Sequence, residues 1–246
     1  MARGFHEPGD KPKRFYGAVS VASMNGGFGV TLDARTLRGP KGAEVVLPTR
    51  ALADLVAEEW ADQGETLQLA AMHITRLANT ALDSVPQARE ATAQSVADYA
   101  ASDLLCYHAT EPVGLVERQT RLWGPILDRA EVELGLSFVR AAGIVHQAQP
   151  PQTLARITAL ALDLDDFGLT GLAFGASLFG SAVLAIGVQR GWFGGEAAFD
   201  LSRLDEAWQE EKWGVDDEAA ERTARLRGEA IMLQRWFEGL EAAKSA

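Results

Sequence analysis

A chain of 246 residues is long enough for one large domain or two of ordinary size, and it can bury an extended core without disulfides. With 47% hydrophobic and 23% charged residues it is an ordinary globular chain, which excludes a disordered, collagen-like or disulfide-scaffold protein. A net charge of -11 with no segregated basic stretch argues against a nucleic-acid partner, and the single cysteine, Cys106, cannot form an internal disulfide.

Residues 1–13 carry Glu7, Pro8, Asp10 and Pro12 among their basic side chains and have no apolar run. They are expected to be a flexible tail, neither a secretory signal nor a mitochondrial presequence, and the protein is expected in the cytoplasm. From Arg14 to Thr49 the apolar residues alternate (Phe15, Val19, Val21; Phe28, Val30, Leu32; Val45, Leu47), the signature of short strands. Asn25-Gly26 supplies the positive backbone angles of a tight hairpin. Thr49 is placed to cap a helix carrying Leu52, Leu55, Val56 and Trp60 and ending near Gly64; a second helical series from Ile74 to Val85 is ended by Pro86. Residues 14–86 therefore predict an N-terminal β-rich domain.

Beyond Pro86 the pattern is helical apart from a short alternating stretch, Leu136, Phe138, Ile144 and Val145. Helices are predicted at about Arg89–Tyr107, Val116–Leu134, Pro151–Leu162, Leu169–Gln189, Leu201–Trp213 and Asp217–Leu240, the last capped by Asp216 and carrying a stripe of Leu226, Ala230, Leu233, Phe237 and Leu240. The expected fold class is α+β: a small N-terminal antiparallel β domain with a helix, then a larger all-helical domain over 87–246. Residues 168–188 hold no charge and could on length alone cross a membrane. Five glycines dilute their hydrophobicity, and a buried helix closely approached by its neighbours is the better reading.

Residues with catalytic or metal-binding chemistry are scattered. His6, His73, His108 and His146 lie too far apart in sequence for ligand-like spacing, Gly26-Gly27-Phe28-Gly29 lacks the setting of a phosphate loop, and no serine sits in a nucleophile elbow. Asp163, Asp165 and Asp166 read as a helix end, Cys106 as a buried small residue, and Trp60 and Trp123 as core anchors. Tyr99, Asp103 and Tyr107, four residues apart, read as a buried hydrogen-bonded carboxylate between helices; an enzyme with a dispersed acid/base site there is the alternative. No metal or cofactor is expected. Residues 200–221 depart from this background, with nine acids against Arg203 and Lys212. If 201–213 is a helix, Leu201, Leu204 and Trp208 face inward while Asp205, Glu206 and Glu210 gather on another side. They form either a solvated face or a docking surface for a basic partner.

Several stretches resemble the assembly-chaperone family of F-type ATP synthase that binds the free alpha subunit of the catalytic head. They are Arg14-Phe15-Tyr16, Val30-x-Leu32-Asp33-x-Arg35, Leu47-Pro48-Thr49, Ala57-Glu58-Glu59-Trp60-x-x-Gln63, Met72, Tyr99 with Asp103 and Tyr107, Gln119 with Trp123 and Pro125, Ser177-Leu178, and Gln209-x-x-x-Trp213-Gly214. The resemblance implies the same two-part fold, no catalysis, and a client, the alpha subunit, held until the beta subunit takes over its interface. It also implies that an acid shortly before the Gln-x-x-x-Trp-Gly element matters. Asp205 matches that position where glutamate is usual, with Glu206 beside it. A bacterial, cytoplasmic, monomeric member with Asp205, Glu206 and Glu210 as partner-binding residues is the expectation.

Overall fold

The computed structural model describes residues 12–143, 145–214 and 217–242. The chain forms two compact units, one of residues up to Asn79 together with those from Gly239 onward, the other of Thr80–Glu238.

In the first unit the expected hairpin forms. Strands β1 (Val19–Met24) and β2 (Gly27–Leu32) pair antiparallel across Asn25-Gly26, with Met24 opposite Gly27 and Val19 opposite Leu32. Gly26 has φ of +88°, which that turn requires. Two short strands, β3 (Arg35–Thr36) and β4 (Val46–Leu47), also pair antiparallel with β2, so β2 is the central strand. The approach of β4 needs glycine at 27, because a Cβ there would lie 2.2 Å from the Leu47 carbonyl oxygen. Val30 and Leu32 are buried, and helix α1 (Arg50–Ala61) buries Leu52, Ala53, Val56 and Trp60 at helical spacing. Thr49 caps α1 as expected: its hydroxyl accepts from the Leu52 N–H at 3.0 Å and donates to the Gly239 carbonyl at 2.6 Å. Helix α2 (His73–Asp83) is capped from a distance. The Glu59 carboxylate accepts from the N–H groups of Ile74 (2.7 Å) and Thr75 (2.8 Å) and from the Thr75 hydroxyl (2.8 Å). Burial raises the Glu59 pKa, and those bonds oppose the rise.

The second unit is helical: α3 (Arg89–Ala101), α4 (Val113–Leu134), α5 (Pro151–Leu162), α6 (Asp166–Phe179), α7 (Ala182–Gln189), α8 (Gly195–Ser202), α9 (Leu204–Trp213) and α10 (Asp217–Glu241), whose last residues belong to the first unit. In place of the strand expected near Leu136–Val145, two-residue strands β5 (Tyr107–His108) and β6 (Ala141–Ala142) pair in parallel. Ile144 and Asp216, the expected cap of α10, lie outside the described residues.

The uncharged stretch is two helices instead of one. Gly180 takes a left-handed conformation with φ of +62°, and the Ser181 hydroxyl caps α7 through the Leu184 N–H at 3.0 Å. Among the described residues no helix is long and apolar enough to cross a membrane. The glycines serve close approach, as expected: a Cβ on Gly171 would lie 2.7 Å from Trp236 Nε1, and one on Gly175 2.8 Å from Leu233. Four residues apart on α6, these two glycines let α10 lay Trp236 and Leu233 against the helix backbone.

Helix α3 stops at Ala101, so Tyr99, Asp103 and Tyr107 share no helical face. Asp103 opens a 3₁₀ turn (Leu104–Cys106) instead, fully buried. Its carboxylate accepts from the Ser181 hydroxyl (2.7 Å), the Val183 N–H (3.1 Å) and the Leu105 N–H (3.2 Å). It thus ties the end of α3 to the start of α7, the linking role expected of it. Loss of solvent pushes its pKa up to about 6 against the pull of those bonds. Asp165 caps α6 through the Gly168 N–H at 2.7 Å, and Asp166 pairs with Arg89.

Candidate interaction site on the acidic helix

The acidic segment runs from the end of α8 through α9 into α10, and the single helix expected over 201–213 is broken at Arg203, which leaves Leu201 on α8. Leu204 is buried and Trp208 half-buried, the inward side expected. Trp208 lies over Gly114 of α4, where a Cβ would come within 2.8 Å of its ring. The Arg118 guanidinium and the Lys212 ammonium stand 5.1 Å and 4.9 Å from that indole, a pair of cation–π contacts. Trp123 is fully buried and donates from its indole N–H to the Leu201 carbonyl at 3.0 Å, tying α4 to the end of α8.

The carboxylates differ sharply in their surroundings. Asp205 is half-buried and accepts from Gln119 Nε2 at 2.7 Å, while Gln119 Oε1 accepts from the Ala109 N–H at 2.7 Å. Gln119 is fully buried, so both ends of its amide are spoken for by tertiary partners. Glu210 is half-buried and pairs with Arg203 at 2.7 Å. Glu211 pairs with Arg118 at 2.7 Å, and Asp200 with Arg227 at 2.8 Å, which also holds Glu196 at 3.0 Å. Glu206 is exposed and has no hydrogen-bond or ion-pair partner among the described residues. The three predicted site residues are therefore neighbours on one helix, but only Glu206 stands unengaged.

Sequence reasoning counted two bases inside the tract; the fold adds Arg118 from α4 and Arg227 from α10. It also missed the role of Gln119. The available signal was a lone polar residue in the buried stripe Leu115, Gln119, Trp123, Leu127 of α4. On the outer side of α9, Glu206, Gln209 and Trp213 follow one another at three- and four-residue steps, and Trp213 is 78% exposed. Gly214, with φ of +82°, ends the helix. Next to Glu206 opens a groove of about 790 Å³, walled by the stretch from Ser102 to Tyr107, the end of α6, the corner between α8 and α9, and the first turns of α10. Among the described residues no three His, Cys, Asp or Glu side chains are grouped to hold a metal ion.

The other signature residues hold the first unit together. The Tyr16 hydroxyl donates to the Trp60 carbonyl at 2.7 Å, Arg14 donates to the carbonyls of Tyr16, Ala61 and Gln63, and Gln63 donates to the Glu59 carbonyl at 2.9 Å. The Asp33 carboxylate accepts from the N–H groups of Gly17 (3.1 Å) and Ala18 (2.9 Å), bonds that lower its pKa.

Comparison with known proteins agrees with this architecture. The family model described as ATP12 chaperone protein matches residues 13–131. Protein atp12, mitochondrial, of Schizosaccharomyces pombe is 27% identical over 221 residues, covering 85% of this chain and 76% of that one. The crystal structure of Atp12 from Paracoccus denitrificans is 37% identical with a TM-score of 0.85, covering 92% of this chain and 97% of that one. Atu1473 of Agrobacterium tumefaciens, a putative chaperone, is 39% identical with a TM-score of 0.87, covering 93% of this chain and 86% of that one. An N-terminal antiparallel sheet followed by a helical unit is thus the frame of a chaperone for ATP synthase assembly. The chain belongs to the ATP12 chaperone family.

Proposed function

We propose that the protein binds the unassembled alpha subunit of the F-type ATP synthase head and keeps it from aggregating until the beta subunit replaces it. An isolated subunit of an obligate complex exposes a surface resembling half a core, and covering it reversibly is the physical task of such a protein. The observation that carries this reading is the outer side of α9, where the unpaired Glu206 and the exposed Trp213 stand on one face of a helix braced against α4. An exposed tryptophan beside a bare carboxylate suits a partner with an apolar surface bordered by Lys or Arg. Glu206 meets the client first. Asp205, held by the neutral Gln119, adds its charge nearby, and Glu210 contributes only by giving up its pairing with Arg203.

The protein acts by binding and not by catalysis, in the cytoplasm of a bacterial cell and as a monomer. The alternative acid/base site has little support, since Asp103 is fully buried and its oxygens are occupied by three donors. The test is the double reversal Asp205→Lys with Glu206→Lys, read by light scattering of free alpha subunit at rising chaperone concentration. The wild type suppresses scattering, and the double variant, folded at the assay temperature though about 2–4 °C less stable for want of the Gln119 bond, suppresses it at least about tenfold less well per mole. Equal suppression by the two proteins sinks the role of these carboxylates. No suppression by the wild type sinks the client.

A further inference from the structure

The groove beside Glu206 lies wholly within the helical unit. Its lining includes Leu104, Leu178 and Leu226, all partly exposed, with Phe179 and Phe199 buried behind them. Four charged side chains border it: Arg203, Glu206, Glu218 and Arg222. Arg203 is neutralised by Glu210 at 2.7 Å, and Glu218 and Arg222 stand one turn apart on α10. Among the described residues Glu206, Glu218 and Arg222 have no ion-pair partner, so two carboxylates against one guanidinium leave the rim with one excess negative charge. An opening of about 790 Å³ is of the size that encloses a compact ligand, too small for a subunit face and suited to a few side chains.

We propose that this groove seats a short segment of the client, with a lysine or arginine reaching Glu206 and the adjoining aliphatic side chains lying on Leu104, Leu178 and Leu226. The proposal rests on the client reading above and adds to it which residues supply apolar cover. The occupant follows from charge: a basic side chain completes the rim, whereas an acidic one meets an unpaired carboxylate and is repelled. Because the apolar area is small and divided among three leucines, the contact is readily given up when a larger interface competes for the same client.

Two variants of the full chain test it against free alpha subunit. Thr223→Trp fills the groove from α10, and Glu206→Lys reverses the rim while touching no internal partner. Their controls are Val132→Trp, at an 85% exposed position on α4, and Asp163→Lys, at an exposed helix end. The expected result is at least about tenfold weaker suppression of scattering by Thr223→Trp and about fivefold weaker by Glu206→Lys, with both controls at wild-type level. Raising salt weakens the wild type and Glu206→Gln unequally, since only the wild type has the rim charge to screen. Wild-type suppression by both Thr223→Trp and Glu206→Lys overturns the groove while leaving the client reading standing. Failure of the wild type itself overturns both, and that outcome is visible before any variant is compared. If Thr223→Trp does not fold, Glu206→Lys and the salt comparison decide.

Discussion

Replacing Gln119 by leucine removes the clasp between α4 and the acidic helix while nearly conserving side-chain volume. Two bonds of 2.7 Å disappear, one from the Ala109 N–H and one to Asp205 Oδ1. Leaving the partly buried Ala109 donor without an acceptor costs about 1–3 kcal/mol. The lost bond to Asp205 adds about 1 kcal/mol, because that half-exposed carboxylate is partly rehydrated. The sum is about 2–4 kcal/mol, and at roughly 2–4 °C per kcal/mol for a chain of this size the unfolding midpoint falls by about 5–15 °C. Thermal unfolding followed by tryptophan fluorescence measures the drop. A double-mutant cycle of Gln119→Leu with Asp205→Ala then isolates the pair, with an expected coupling of about 1 kcal/mol. A midpoint within about 2 °C of the wild type, or a coupling indistinguishable from zero, refutes the clasp.

Two further predictions follow from the helical unit. A Cβ on Gly195 would lie 1.8 Å from the Ala230 carbonyl oxygen, a backbone atom that cannot rotate away, so Gly195→Val separates α8 from α10 and costs about 3 kcal/mol or more, read as loss of soluble expression or a lowered urea midpoint. Asp103, at about 6 in the folded chain and near 3.8 when unfolded, holds its proton longer in the native state. The stability it contributes is full below pH 3.8 and is lost as pH rises through 6. The urea-derived stability of the wild type minus that of Asp103→Asn should therefore fall by about 2 kcal/mol between pH 4 and 7. A difference that stays level contradicts the upward shift.

Local chemistry made much of this protein legible before any coordinates. The hairpin at Asn25-Gly26, the Thr49 cap of α1 and the inward side of α9 at Leu204 and Trp208 all depend on residues within a turn or two of one another, where backbone sterics and periodicity act directly. Even the break at Gly180-Ser181 had its signal, a glycine followed by a capping serine, masked by unbroken hydrophobicity on both sides. The end of α3 was hidden for the opposite reason. Asp103 lies four residues from Tyr99 and from Tyr107, a spacing that imitates a helical face, whereas its carboxylate is claimed by Ser181 and Val183, far along the chain.

The sequence by itself determined that residues 200–221 are dense in acid, because composition along the chain is a local property. Only the tertiary structure decided which of those acids remain available. Gln119 claims Asp205 across 86 positions, Arg118 claims Glu211 across 93, and Arg227 comes back from α10 to Asp200. Electrostatic pairing depends on distance in space, which the packing of α4, α8, α9 and α10 sets and which separation along the chain does not reveal. The same packing leaves Glu206 without a partner among the described residues, beside a groove whose walls come from four separate parts of the sequence.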